Sequence, residues 1–422
     1  MSDNAALNHA ASIIAKLAPG DRADTALRGY FEAHRYLQPS ARRAVSHAIF
    51  VYYRWLSWLD DKASTQKRLE QAEDLQKRFN ADPKSAKPEA LAIRAVPAWV
   101  WNEVVLPDAE AKATYLRQLQ RDPALWLRAR PGQAKALAKS LAACELAPPF
   151  TVSSSGFGVL GSETQNSEPK AQNPITTDAV RFTGVQDLFK TEQFKTGEFE
   201  IQDLASQLVG VACAPKPGET WWDTCAGEGG KTLHLCDLMQ NKGVVWATDR
   251  HSGRLDTLKR RTSRAKLFNY RVALWDGSPR LPTKAKFDGI LIDAPCSGVG
   301  TWQRNPQARW TSSLNDVTEL AVTQLALLNQ VAGSLKPGGR LVYSVCTLTR
   351  RETTGVVEAF SAAHPELEPD PVFAPSAVAG VADPGALAIP GPGSTSPATV
   401  TLWPHELNAN GMFLAAWRRK KA

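Results

Sequence analysis

The chain contains 422 residues, of which 43% are hydrophobic and 22% are charged. A chain of this length and composition can bury a large core, which excludes wholesale disorder, collagen-like repeats and a coiled coil. No apolar run approaches the roughly 20 residues that span a bilayer, and the start of the chain has no signal-peptide pattern.

Residues 1–105 are predicted to form a helical domain. Proline and glycine are sparse in this part of the chain, and no strand pattern competes with the helical one. Within it, apolar residues recur at the spacing of one helix face. These residues are Val45, Ala48, Ile49, Tyr52 and Leu56.

Residues 106–200 are predicted to form a small connecting α+β region. Residues 124–130 have the pattern of a short strand that ends at a Pro-Gly turn, and residues 133–146 that of a helix. Residues 151–177 are dominated by Ser, Thr, Gly, Asn, Gln and Pro, which predicts a long loop or a mobile hairpin.

From residue 201 onward, short apolar runs alternate with helical segments. The predicted strands are 220–224, 244–249, 270–275, 287–293 and 340–345. This alternation is typical of an α/β domain with a mainly parallel sheet and crossover helices, here assigned to 201–422. A proline- and glycine-rich segment at 371–397 is expected to be a surface loop.

Cysteine spacing and net charge narrow the class of protein further. None of the six cysteines forms a C-x-x-C pair, so we expect reduced thiols, no metal site and a cytoplasmic protein. The net charge of +8 permits a polyanionic partner. Ten basic residues but only two acidic ones fall between Arg254 and Lys286, which suits either a phosphate-binding surface or a solvated helix face.

A glycine-rich turn follows the first of these strands. Its end resembles a phosphate-binding P-loop, but Cys225 stands where that motif requires its first glycine, so we reject this alternative. A nucleoside-binding turn instead predicts an acid at the end of the next strand, where Asp249 stands, and Asp276 closes the third strand. The predicted turn residues are Cys225, Ala226, Gly227, Glu228, Gly229, Gly230 and Lys231.

The acidic residues at three successive strand ends, Asp223, Asp249 and Asp276, suit a neutral or cationic adenosine ligand, such as S-adenosylmethionine, better than a pyrophosphate. The alternative is that these residues cap helices, which is the commoner role of a single aspartate at such a position.

Two cysteines stand at the ends of the fourth and fifth predicted strands. Cys296 follows Asp293 closely, and Cys346 follows the last strand directly. The carboxyl ends of parallel strands meet at one edge of a sheet, so both thiols are expected beside the ligand. A lone cysteine there is usually a small buried hydrophobic residue, but a pair flanking an aspartate favours nucleophilic chemistry.

These motifs resemble the Sun/Fmu family of RNA cytosine-C5 methyltransferases, which include ribosomal RNA enzymes. The resemblance rests on Asp-Ala-Pro-Cys-Ser-Gly at 293–298, on Ser-Val-Cys-Thr at 344–347 and on the glycine turn, and it covers most of 190–422. Through Arg42-Arg43 and the aromatic-rich helix that follows, the first 105 residues resemble more weakly the NusB-like RNA-binding domain of this family.

The resemblance implies a Rossmann-like, S-adenosylmethionine-dependent methyltransferase domain. By it, Cys346 attacks carbon-6 of a cytosine in RNA, Cys296 assists release, and Asp293 binds the cytosine and the amino end of the cofactor. The turn from Cys225 to Lys231 would hold the cofactor, with Asp249 at the ribose and Asp276 near the adenine. We also hypothesise that Lys231 lowers the pKa of a nearby thiol.

Substrate and partners follow from the same resemblance. Ribosomal RNA is the expected substrate, transfer RNA the alternative, and residues 106–200 would take part in RNA recognition. A catalytically silent RNA-binding assembly factor is the alternative function. Trp302, Arg304 and Arg309 are predicted to form a surface that stacks on bases and contacts phosphates. We expect a monomer without membrane attachment.

Three departures from the family pattern stand out. Gly227-Glu228 replaces the usual Ala-Pro, and Gln303 replaces one of two arginines, which weakens the case for an RNA contact there. Residues 351–353 replace an acidic-Asn run after the second cysteine, which weakens the match in that region.

Overall fold

The structure, a computed structural model, describes residues 3–18, 20–153, 156–159, 175, 177–373 and 398–421. The chain divides into two compact units. The helical unit consists of residues 1–123 and 298–316, and the sheet unit consists of residues 124–297 and 317–422. Among the described residues, no helix has the length and apolar character needed to cross a bilayer.

The helical unit begins with six α-helices. They are α1 (Asp3–Ile14), α2 (Ala23–Ala33), α3 (Pro39–Trp55), α4 (Thr65–Ala81), α5 (Pro88–Arg94) and α6 (Ala109–Leu119), with 3₁₀ turns at Leu56–Trp58, Pro83–Ser85 and Ala98–Asn102. Helix α3 carries the predicted apolar face: Val45, Ala48, Ile49 and Tyr52 are buried in the core of this unit, and Leu56 packs partly buried against it. The helical prediction for this part of the chain is therefore confirmed.

A small antiparallel sheet opens the sheet unit. Its strands have the order β2-β5-β1-β6, and a separate hairpin pairs β3 with β4. The elements are β1 (Leu125–Ala129), α7 (Ala134–Ser140), β2 (Cys144–Leu146), β3 (Phe150–Ser153), β4 (Gly156–Val159), β5 (Ala179–Phe182), a 3₁₀ turn at Leu188–Lys190, α8 (Glu192–Lys195) and β6 (Phe199–Ile201).

The predicted helix over 133–146 is too long. Helix α7 ends at Ser140, and Ala143 adopts a left-handed backbone conformation with φ of 58° before β2 begins. The sequence pattern could not show this, because β2 is held by pairing with the distant β5. Most of the predicted loop at 151–177, and residues 374–397 of the predicted surface loop, lie outside the described residues.

The large sheet has the strand order β12-β14-β11-β10-β7-β8-β9, with β13 paired to β14. Five adjacent strands, β11-β10-β7-β8-β9, are parallel, and the others run antiparallel to their neighbours. The strands are β7 (Thr220–Asp223), β8 (Val244–Asp249), β9 (Tyr270–Leu274), β10 (Phe287–Asp293), β11 (Leu335–Val345), β12 (Leu367–Pro369), β13 (Thr399–Leu402) and β14 (Met412–Arg419). The predicted parallel strands are confirmed.

Helices cover both faces of the large sheet. They are α9 (Leu204–Cys213), α10 (Gly230–Leu238), α11 (Ser252–Arg264), α13 (Leu314–Ala332), α14 (Thr354–Ala363) and α15 (Pro404–Leu407). The remaining helix, α12 (Ala308–Thr311), and the 3₁₀ turn at Val299–Thr301 before it belong to the helical unit. Successive residues of β10 point to opposite faces, so Leu291 packs with α9 and α10, while Ile290 and Ile292 pack with α13 and α14.

The predicted division at 105 and 200 does not coincide with the two units. Helix α6 lies beyond residue 105 but belongs to the helical unit, and residues 298–316 return to that unit from within the predicted third domain. The division into functional domains at 1–105, 106–200 and 201–422 stays a prediction, and its boundaries differ from those of the compact units.

Candidate active site

The glycine turn joins β7 to α10 and requires glycine at two points. Gly227 and Gly229 have φ values of 55° and 87°, a region that other residues rarely adopt. A Cβ atom on Gly229 would lie 2.6 Å from Cγ of Leu258 on α11. The turn therefore lies close against the next helix and leaves its own backbone open toward the edge of the sheet.

A cavity of about 380 Å³ lies at the carboxyl ends of the parallel strands. Seven of the predicted cofactor residues line it, namely Cys225, Ala226, Gly227, Glu228, Asp249, Asp276 and Asp293. Gly229, Gly230 and Lys231 are not part of its lining. The lining carries four acidic residues against two arginines, Arg250 and Arg254, which favours a neutral or cationic ligand over a pyrophosphate.

Two of the strand-end carboxylates, Asp249 and Asp276, line the cavity and also accept hydrogen bonds from backbone N–H groups. Asp249 accepts hydrogen bonds from the backbone N–H of Gly227 (3.0 Å) and of His251 (2.8 Å), so it also fixes the glycine turn. Asp276 accepts a hydrogen bond from the backbone N–H of Ser278 at 3.0 Å, and contacts with Ser278 lower its pKa. Both residues therefore stabilise turns as well as lining the cavity, a role that differs from the helix capping considered as the alternative.

Asp223 does not contribute to the cavity. It is buried beneath the turn, where the hydroxyl of Thr232 donates to it at 2.7 Å, and burial raises its pKa to about 7. Of the three strand-end acids, only Asp249 and Asp276 therefore line the cavity. The sequence pattern could not separate them, because the sharp turn after Asp223 directs the chain away from that carboxylate.

Parallel strands β10 and β11 bring the two thiols together. Asp293 lies opposite Ser344 in the register, so the loop after β10 and the residue after β11 meet at the same edge. The Sγ atoms of Cys296 and Cys346 are 3.3 Å apart, and both residues are partly exposed.

An ion pair lies beside these thiols. Lys231 Nζ donates to Asp293 Oδ2 at 2.6 Å, and the Ser344 hydroxyl donates to Asp293 Oδ1 at 2.9 Å. Desolvation acts to lower the pKa of Lys231, but the Asp293 carboxylate outweighs it and the pKa is raised. Asp293 thus lines the cavity while Lys231 supplies a positive charge behind it.

Cys346 has the electrostatic surroundings of a nucleophile. Its pKa is lowered, chiefly by the hydrogen bond with Cys296; burial and Asp293 oppose this lowering, and Lys231 contributes to it. Burial instead raises the pKa of Cys225 to about 12. A thiolate is therefore favoured at Cys346 and disfavoured at Cys225.

Several residues of this site were missed by the sequence analysis. Trp275 and the α13 residues Thr323 and Leu327 line the cavity. No local motif marks the α13 residues, because they reach the site only through the packing of α13 on the sheet. Glu352 belongs to the region in which the family match is weakened, yet it is fully buried beside the thiol loops. Its position six residues after Cys346 was the only feature of the sequence that could have pointed to a role in the site.

The predicted RNA surface requires a correction. Trp302 and Arg309 are fully buried in the helical unit, where Trp302 packs edge-to-face on Trp99. The Arg309 guanidinium donates to backbone oxygens of Trp302, Ala95 and Leu119. These two side chains therefore stabilise the segment 298–316 and do not form an exposed stacking surface. Arg304 is only partly buried.

The basic segment after β8 is also partly structural. Arg261 and Arg264 of α11 pair with the buried carboxylate of Glu200 at 2.9 and 2.5 Å. Lys259 pairs with Asp256 of the same helix at 3.0 Å. The surplus of positive charge in this segment is therefore reduced by local pairing.

The strand order, the glycine turn and the cavity beyond the strand ends together define a Rossmann-like methyltransferase domain. The crystal structure of PH0851 has a similar fold, with a TM-score of 0.70 over 99% of this chain and 98% of that chain at 22% identity. The crystal structure of NSun6 from Pyrococcus horikoshii with SFG gives a TM-score of 0.53 over 74% of this chain and 95% of that chain at 20% identity.

Residues 210–418, just under half of the chain, match the family described as 16S rRNA methyltransferase RsmB/F. The probable ribosomal RNA small subunit methyltransferase B of Bacillus subtilis is 41% identical over 182 residues, which are 43% of this chain and 41% of that protein. The chain spans about half the length, or less, of the curated relatives that it matches. The family resemblance of the sequence is confirmed, and the NusB-like assignment of residues 1–105 stays a prediction.

Proposed function

We propose that this protein transfers a methyl group from S-adenosylmethionine to carbon-5 of a cytosine in ribosomal RNA. The observation that carries the proposal is the contact of two thiols, 3.3 Å apart, at the same sheet edge as the carboxylate-lined cavity; Asp293 lines that cavity, although neither thiol does. Methyl transfer to oxygen or nitrogen needs no cysteine, whereas methylation of carbon-5 requires prior activation of the ring. The match of residues 210–418 to the RsmB/F family supports ribosomal RNA over transfer RNA as the substrate.

The cavity suits the proposed cofactor. Asp249 and Asp276, which line the cavity, would accept hydrogen bonds from hydroxyl and amino groups of an adenosine, and Asp293 would hold a cationic amino group. When bound, S-adenosylmethionine supplies an electrophilic methyl group on a positively charged sulfur. The excess of acidic residues in the lining favours such a cation.

The protein's own side chains would activate the base. The Cys346 thiolate adds to carbon-6 of the cytosine, and the electron pair of the 5,6 double bond becomes available at carbon-5. Asp293 hydrogen-bonds the base during this step. Methyl transfer to carbon-5 leaves the electron pair of the broken sulfur–methyl bond on the sulfur of the cofactor. A base then takes the carbon-5 proton, and the electrons of that bond restore the 5,6 double bond and expel the Cys346 thiolate. Cys296, in contact with the departing sulfur, assists this release.

The target cytosine would have to leave its stack to reach these thiols. Single-stranded or loop RNA allows this at the lowest cost in stacking energy. We therefore extend the proposal to an unpaired or loop cytosine as the target.

Nucleoside analysis tests the proposed function. The protein is incubated with S-adenosylmethionine carrying a labelled methyl group and, in separate reactions, with ribosomal RNA, small-subunit particles and transfer RNA, and the RNA is digested to nucleosides. We expect the label in 5-methylcytidine from ribosomal RNA or from the particles. Label in another nucleoside, or none in RNA, would refute cytosine-C5 transfer, and label in transfer RNA alone would refute the choice of ribosomal RNA.

A further inference from the structure

We propose that Glu352 is a positioning residue that holds the loops of Cys296 and Cys346 together, so that the two thiols stay in contact. Its consequence for catalysis rests on the proposed function. Its structural part does not, because it concerns only the thiol contact and the hydrogen bonds around it.

Glu352 is a carboxylate without exposure to solvent, and it lies directly after the second thiol loop. It has no basic partner among the hydrogen bonds and ion pairs that the described residues show; its partners are hydroxyl, amide and backbone N–H groups. Burying a carboxylate is costly unless hydrogen bonds replace its hydration, and five donors do so here. At this position the carboxylate accepts hydrogen bonds from several donors, which an apolar residue could not do.

The donors come from both thiol loops. From the first loop, the backbone N–H of Ser297 donates to Oε1 at 2.8 Å and the Ser297 hydroxyl donates to Oε2 at 2.5 Å. From the second loop, the hydroxyls of Thr347 and Thr349 donate to Oε2 at 3.1 and 2.7 Å. Ser297 directly follows Cys296, and Thr347 directly follows Cys346. A single carboxylate thus joins the immediate neighbours of the two thiols.

A second set of bonds fixes Glu352 itself. Gln324 Nε2 of α13 donates to Glu352 Oε1 at 3.0 Å and to the backbone oxygen of Pro295, in the first thiol loop, at 2.9 Å. The Tyr343 hydroxyl, from β11, lies 2.7 Å from the Glu352 backbone oxygen and 2.9 Å from Gln324 Oε1. Glu352 therefore has little freedom to move away from the two loops.

Only an ionised carboxylate can accept from all five donors at once. Glutamine has one acceptor oxygen, and its amide group would face hydroxyls that would have to reverse their bonds. Alanine would leave the donors of both loops without their common acceptor. We therefore expect a graded loosening of the thiol contact, with Glu352→Gln weaker in effect than Glu352→Ala.

Thiol bridging measures this contact directly. Dibromobimane links two neighbouring thiols, and digestion followed by mass spectrometry identifies a peptide pair that carries Cys296 and Cys346. In Glu352→Ala we expect the bridging rate to fall about tenfold or more, as for the loss of charge-assisted hydrogen bonds, and in Glu352→Gln we expect an intermediate rate. Glu358→Ala, an exposed position on α14, is the matched control and should bridge as the unchanged protein does.

A wild-type bridging rate in Glu352→Ala would overturn the proposal. If that variant fails to fold, the double variant Ser297→Ala/Thr347→Val replaces it, because it keeps Glu352 but removes one hydroxyl donor from each loop. Slower bridging in the double variant supports the proposal, and an unchanged rate overturns it.

Kinetics separate positioning from a general loss of stability. In Glu352→Gln we expect kcat for methylation to fall about tenfold, while KM for S-adenosylmethionine stays within about twofold because Glu352 does not line the cofactor cavity. An unchanged kcat, or an equal change in both constants, would overturn the catalytic part. If the unchanged protein methylates no RNA, the proposed function fails, whereas the bridging result still decides the role of Glu352.

Discussion

Replacing Cys346 with alanine is expected to abolish methyl transfer, with a loss of about four orders of magnitude or more, as when other covalent enzymes lose their nucleophile. Carbon-5 of cytosine cannot attack a methyl group unless a nucleophile has first added to carbon-6. Cys346 has a lowered pKa and lies in contact with Cys296, whereas burial raises the pKa of Cys225, the cysteine of the glycine turn. Transfer of labelled methyl groups to ribosomal RNA measures the effect.

Two controls make this result specific. Cys144→Ala removes a thiol from the small sheet, far from the site in the fold, and should leave activity unchanged. RNA affinity of Cys346→Ala, measured by filter binding, should match that of the unchanged protein. Turnover retained in Cys346→Ala would show that another group is the nucleophile.

Replacing Cys296 with alanine is expected to trap the protein on its RNA. The contact between the two sulfurs places Cys296 beside the bond that must break at the end of the reaction. Without it, addition of Cys346 and methyl transfer can still proceed, but release becomes slow. A slowly migrating protein–RNA species should therefore accumulate on a denaturing gel and should be absent when S-adenosylmethionine and RNA are supplied to the unchanged protein.

The double variant Cys296→Ala/Cys346→Ala is the control for the trapped species. It lacks the thiol that forms the bond to RNA, so no slowly migrating band should appear. A band of equal intensity in the double variant would mean that the bond does not involve Cys346. The absence of any band in Cys296→Ala would refute the assignment of Cys296 to release.

The sequence predicted the parts of the site that depend on the ends of parallel strands. Strands β8 and β10 have the predicted bounds, because their apolar runs end at Asp249 and Asp293. Once the strands are parallel and adjacent, the residues that follow them must meet at one edge. The approach of Cys296 to Cys346 follows from this geometry and was therefore predictable.

What the sequence did not predict depends on contacts between distant residues. Trp302 and Arg309 have the composition of an RNA surface, but the segment that carries them returns to the helical unit, where both side chains are buried. Asp223 has the spacing of a ligand-binding acid, but it lies under the turn. Glu352 looked like a departure from the family pattern, although its carboxylate joins the two thiol loops. In each case, burial and partners decide the role of the side chain.

The covalent bond between Cys346 and carbon-6 of a cytosine is the central claim, and ribosomal RNA containing 5-fluorocytidine tests it most directly. Fluorine at carbon-5 cannot leave as the proton does, so the bond to the attacking sulfur cannot break after methyl transfer. With S-adenosylmethionine present, mass spectrometry of the digested complex should find a methylated fluorocytidine nucleotide on the peptide that contains Cys346. A nucleotide on the Cys296 peptide, or no covalent complex at all, would contradict the account.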